Sequence, residues 1–166
     1  NFLSRPVKLG EFTWETAGLN VELNPWDSFL SHPTVARKIS NFKMLRGKLR
    51  IKIVINGSPF LYGKAMAYYN PLKSTDSFAP VNARGRLCRL SQRQHIFLHP
   101  TTSTGGELEL PFFWPWNAVT IPDRQWTDLG SLSFIDVSTL KHAAGDLPQC
   151  SFTVMAWMDD VVLSQP

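Results

Sequence analysis

The chain has 166 residues, 43% apolar and 18% charged, with a formal charge of +4. One domain of that length buries about 70% of its unfolded surface, and this composition excludes an intrinsically disordered chain. Two cysteines, Cys88 and Cys150, are too few for a disulfide framework, no apolar run approaches the roughly 20 residues that cross a bilayer, and mild basicity alone does not identify a nucleic-acid binder.

Residues 1–7 show no periodicity and contain Pro6, so they read as an extended arm, with a single domain from residue 8 to residue 166. Lys8–Ala17 suits a first strand, anchored by Leu9, Phe12 and Trp14, and after Gly18 a short second strand covers Leu19–Leu23. Ser31-His32-Pro33 has the form of a helix start, with proline at the first helical position. Val35, Ile39 and Phe42 then recur at the spacing of one helical face.

The stretch from Met44 to Asn70 organises the rest. Leu49, Ile51, Ile53 and Ile55 alternate with Lys48, Arg50, Lys52 and Val54, the period of a strand with one buried face and one wet face. Asn56-Gly57-Ser58-Pro59 breaks that run, and Lys64–Tyr69 makes the next strand. The connection between them is long enough to carry the chain from one sheet to a facing one. Pro71 to Arg93 is loop-like and ends in a basic cluster, Arg84, Arg86, Arg89 and Arg93. Gln94–Leu98 is a short strand. Glu107–Phe113 is a cleaner one, with Leu108, Leu110 and Phe112 facing in and Glu107 and Glu109 facing out. An aromatic connection (Trp114–Asp128) leads to the last two strands, Gly130–Val137 and Ser151–Val161. Eight strands and one helix, without strand–helix alternation, predict an all-β antiparallel sandwich.

Catalytic patterns are missing: there is no nucleophile elbow, phosphate-binding loop, dinucleotide fingerprint or His-Glu-x-x-His pair. His95 and His99 invite a metal reading, with Glu107 downstream. Four residues of strand span about 13 Å, however, too far for two side chains that must each approach a metal to about 2 Å. Asp159 and Asp160 are adjacent, and neighbours on a regular strand point to opposite faces unless a bulge intervenes. No cofactor is expected. Trp114 and Trp116 could form a sugar platform in a monomeric carbohydrate-binding module, although large aromatics more often anchor cores and interfaces. The arginine cluster could grip RNA phosphates, but a charged loop is usually only solvated.

The order of the pieces carries a resemblance. Trp14, NPWDSFLSHP (Asn24–Pro33), RGKLRIKIVING (Arg46–Gly57), YGKAMAYYNP (Tyr62–Pro71), SQRQHIFLHP (Ser91–Pro100), GGELELPFFWP (Gly105–Pro115) and the closing FTVMAWMDDVVLSQP (Phe152–Pro166) together resemble the picornavirus-like (rhinovirus-like) capsid domain. They are most similar to the large capsid proteins of dicistroviruses and of marine algal and diatom RNA viruses. The resemblance implies an eight-stranded antiparallel jelly roll with strands B to I, in sheets ordered B-I-D-G and C-H-E-F, and one short helix between C and D. It implies a structural, non-enzymatic protein of the virion, assembled in the host cytoplasm. Two related jelly-roll subunits, with room for a small internal peptide, would complete an icosahedral pseudo-T=3 shell around positive-strand RNA, touched non-specifically if at all.

Three expectations about sites follow. Phe2, Leu3 and Val7 are apolar residues on an arm and need a partner surface, expected on a neighbouring subunit. Phe113, Trp114 and Trp116 crowd one connection and cannot all enter a small core, so some should anchor a subunit contact. In the implied sheet order strand D lies beside strand G, so the cations Lys48, Arg50 and Lys52 should face the carboxylates Glu107 and Glu109 and not a phosphate track. RNA contact, if any, falls to Arg84, Arg86, Arg89 and Arg93.

Overall fold

The computed structural model describes residues 2–16, 18–72, 92–102 and 105–164. A 3-10 turn, Phe2–Ser4, leads into β1 (Val7–Glu15) and β2 (Asn20–Leu23). Two short helices follow, α1 (Pro25–Leu30) and α2 (Pro33–Ile39), and then the two central strands β3 (Met44–Asn56) and β4 (Leu61–Pro71). Next come β5 (His95–Leu98), β6 (Gly106–Leu110), β7 (Val119–Thr120), a 3-10 turn at Gln125–Asp128, β8 (Gly130–His142) and β9 (Gln149–Ser164).

One sheet is ordered β1-β9-β3-β6, with β7 also paired to β3, and the other is β2-β8-β4-β5. All neighbours are antiparallel. These are the expected B-I-D-G and C-H-E-F orders, so the fold is a jelly roll.

The alternation along β3 decides its orientation: Leu45, Leu49, Ile51, Ile53 and Ile55 are buried while their neighbours are wet. Each such aliphatic side chain contributes about 1.5–3 kcal/mol on leaving water. Ala65, Ala67 and Tyr69 of β4 and Leu132 and Phe134 of β8 belong to the same core cluster. Phe12 of β1 lies 4.7 Å from Phe134 and 5.2 Å from Phe152, ring centroid to centroid, and so ties the two sheets together.

Several strands run past their expected ends. β3 begins at Met44, β8 continues to His142, and β9 reaches Ser164. Their flanks lack a clean apolar alternation, but partner strands satisfy the backbone there, with Met44 opposite Ser164 and Leu61 opposite His142. β6 stops at Leu110, because Pro111 has no N–H to offer a ladder.

Helix α1 was not expected. Asn24 caps it by accepting from Asp27 N, Pro25 opens it, and Trp26, Phe29 and Leu30 form its buried side. The Asn-Pro pair was the available signal, but six residues show too little periodicity to be read as a helix.

The amino terminus corrects another expectation. Leu3 is only 1% exposed and is part of the chain's own core. Val7 is already paired, opposite Ala156 of β9. Neither side chain belongs to an arm waiting for a neighbour, because the turn at Phe2–Ser4 lies against β9 of its own chain and both side chains pack on the core there.

Candidate assembly surfaces

The outer face of the five-stranded sheet is a ladder of opposite charges. Arg50 stands opposite Glu109 and Lys52 opposite Glu107 in the β3–β6 register. Lys48 Nζ is 3.2 Å from Glu109 Oε1, and an Arg50 Nη is 3.3 Å from the other oxygen of the same carboxylate. From the far side β9 adds Asp159, whose Oδ2 is 2.6 Å from Arg50 Nε. That last contact is one of charge and not a directed hydrogen bond, since the Nε–H has no aligned acceptor among the described residues. All these groups are partly or largely exposed, so each pair contributes at most about 1 kcal/mol.

Asp159 and Asp160 sit on a β-bulge. Arg46 pairs with Val162 while Lys48 pairs with Asp159, so β9 carries one residue more than β3 over this interval. Asp160 takes the left-handed conformation, with φ of 53°. The extra residue turns both carboxylates toward the charged face, and Asp160 Oδ2 lies 3.9 Å from Lys48 Nζ. Gly47 makes room for the bulge: a Cβ there would lie 2.8 Å from Met158 Cε and 3.3 Å from Val161 Cα. The opposite-face rule for adjacent residues therefore fails at this pair.

The aromatic connection after β6 divides its side chains. Phe113 is 57% and Trp116 68% exposed, whereas Trp114 is half-buried and packs against the core. The Trp114 and Trp116 rings are 6.0 Å apart and inclined by 52°, which is not a flat sugar platform. Trp114 Nε1 is buried without a hydrogen-bond partner among the described residues. Arg46 ties the connection to the sheet, donating to the backbone carbonyl of Asn117 at 3.2 Å and to its side-chain oxygen, with the guanidinium 5.4 Å from the Phe112 ring centre.

Further along, the connection is locked to α1. Asp27 accepts from Arg124 Nη2 at 2.9 Å, Trp126 Nε1 at 3.2 Å and Ser31 Oγ at 3.1 Å. Trp26 Nε1 donates to Tyr69 Oη at 2.8 Å, and Tyr69 Oη donates to Leu129 O at 3.2 Å. Burial pushes the Tyr69 phenol up to about 12 against the weaker opposing pull of the Trp26 hydrogen bond. These contacts tie α1 to the connection and to the buried end of β4.

Of the arginines considered for RNA, Arg84, Arg86 and Arg89 lie outside the described residues, as does Cys88. Arg93 is described, and its carbonyl is 2.7 Å from His95 Nδ1. Cys150 is a buried free thiol, pushed up to about 11 by burial. Among the described residues no three His, Cys, Asp or Glu side chains converge on a point where a metal could sit.

No protein-family model and no curated protein matches the chain. Solved structures do. A chain from the structure of a marine algae virus of the order Picornavirales is 35% identical, with a TM-score of 0.90, covering 99% of this chain and 73% of its own. A chain from black queen cell virus matches at 22% identity and a TM-score of 0.84, covering 100% of this chain and 72% of its own. One from the Triatoma virus empty capsid matches at 20% identity and 0.84, covering 99% and 93%. A jelly roll with these sheet orders, matched over nearly its whole length at 35% identity, places the chain among the picornavirus-like capsid proteins of the order Picornavirales, with a structural role in the virion.

Proposed function

We propose that this chain is one of three related jelly-roll subunits closing an icosahedral, pseudo-T=3 shell around the viral RNA, put together in the host cytoplasm. Its binding energy goes into lateral contacts, and it contributes no catalysis. The observation that carries this reading is the exposure of Phe113 and Trp116 on a connection that Arg46 bonds at Asn117 and Asp27 bonds at Arg124. The interior is already filled by buried aromatic and aliphatic side chains. Burying two large aromatic side chains at a subunit boundary would supply about 1.5–3 kcal/mol each.

Trp116→Ala, produced together with the partner capsid proteins, is the test. Particle yield on a sucrose gradient should fall severalfold while the melting temperature of the isolated chain stays within about 2 °C of wild type, as for other exposed substitutions. Unchanged yield would remove this connection from the assembly surface.

A further inference from the structure

We infer that His142 is a pH-sensitive latch on the turn between β8 and β9: neutral, its ring holds the Ala144 N–H; protonated, it releases Ala144 and takes the carboxylate of Asp146.

β8 ends at His142 and β9 begins at Gln149. The Gly145 N–H donates to His142 O at 3.0 Å, which closes a tight turn, and Gly145 has a φ of 81°, in the left-handed region that glycine enters freely. Inside the turn the Ala144 N–H donates to His142 Nδ1 at 3.1 Å. An imidazole nitrogen accepts only through a lone pair, so this contact makes Nδ1 the unprotonated nitrogen of a neutral ring. The imidazolium carries a proton on both nitrogens. Two N–H groups would then point at each other across the same short gap, and one of them has to leave.

The surroundings offer the cation another partner. Asp146 Oδ2 is 4.0 Å from that same Nδ1, with the Asp146 side chain 79% and the His142 side chain 14% exposed. The Phe60 ring centre is 5.8 Å from that of His142, within the range at which an aromatic ring attracts a cation. Among the described residues no other ionisable side chain forms an ion pair with the ring. β4 sets the apolar Leu61 opposite His142, while Tyr62 and Lys141 pair with each other one step along, on the other face of the sheet. The connection from β3 to β4 contributes Phe60, whose carbonyl accepts from the Ala143 N–H at 2.8 Å. Neither that bond nor the one from Gly145 involves the imidazole, so the exchange of partners is confined to Ala144 and Asp146. The turn therefore changes shape between about pH 8 and pH 5, the range in which histidine changes charge, while both sheets keep their pairing.

The test is an NMR titration of the isotope-labelled chain over that range. The Ala144 amide and the Asp146 carboxyl carbon should both shift with the midpoint of the His142 ring. The protection of the Ala144 amide against hydrogen exchange, corrected for the intrinsic pH dependence of exchange, should fall about two- to tenfold in acid, and Gly145 should stay protected. In His142→Asn a side-chain oxygen that does not titrate can still accept from the N–H two residues on, so Ala144 should be equally protected at both ends of the range. Unchanged Ala144 protection in the wild type, or an Asp146 carboxyl that ignores the midpoint of the ring, would overturn the latch. Release of Ala144 in His142→Asn would do the same, by tracing the effect to another group. Should that variant not fold, an Ala144 midpoint different from that of the wild-type ring is the overturning result.

Discussion

Tyr69→Phe removes one oxygen and strands one buried partner. The Trp26 N–H loses its acceptor in the interior, whereas the Leu129 carbonyl keeps the backbone N–H of Leu72 at 3.0 Å. Leaving a buried polar group unsatisfied costs about 1–3 kcal/mol, so the isolated chain should lose about that much near pH 8. At this chain length that is a fall in melting temperature of about 2–12 °C. The same oxygen gives a second readout at alkaline pH. The folded-state value is raised from the ordinary 10 to about 12 by burial, so Tyr69 affects no pH dependence below pH 10. Above it the unfolded chain releases the proton first, and stability is lost progressively until pH 12. Midway, at pH 11, the wild type should have lost about 1.4 kcal/mol through this group, and the phenylalanine variant none. The Cys150 thiol, raised to about 11, titrates in the same region but is common to both proteins and cancels in the difference. Urea denaturation of both proteins at pH 8 and pH 11 is the assay. The stability gap should narrow by about 1.4 kcal/mol at the higher pH; a gap that stays constant would refute the buried, hydrogen-bonded phenol as its source.

Gly47→Ala should destabilise the isolated chain by about 1–3 kcal/mol in chemical denaturation, because the new Cβ overpacks against Met158 and the Val161 backbone. Leu3→Ala should cost about 2–5 kcal/mol in the isolated chain, since Leu3 is buried by its own sandwich; a loss seen only in particles would restore the amino-terminal arm.

Much of this protein was written in local pattern. The alternation from Lys48 to Ile55 and from Glu107 to Leu110 announces two strands and says which side of each is wet, because side chains on a strand repeat every two residues whatever lies around them. The facing of Arg50 and Lys52 toward Glu109 and Glu107 needed only that alternation and the implied sheet order. Helix α1 carried a weaker mark, Asn24-Pro25, in a segment too short for periodicity to support it. The ends of β3, β8 and β9 carried no mark, since their pairing depends on a partner strand far along the chain.

Two features were decided by tertiary structure alone. Leu3 looks the same in sequence whether it seats on a neighbour or on its own chain; proximity to β9 determines which, and that exists only once the sheets have formed. The Asp159–Asp160 bulge is likewise invisible locally, because it is a mismatch of one residue between strands about a hundred positions apart, accommodated by Gly47 on the facing strand. Sequence by itself determines the periods and the polarity of each face. Register, and with it the direction in which an exposed carboxylate points, comes from the pairing of distant segments.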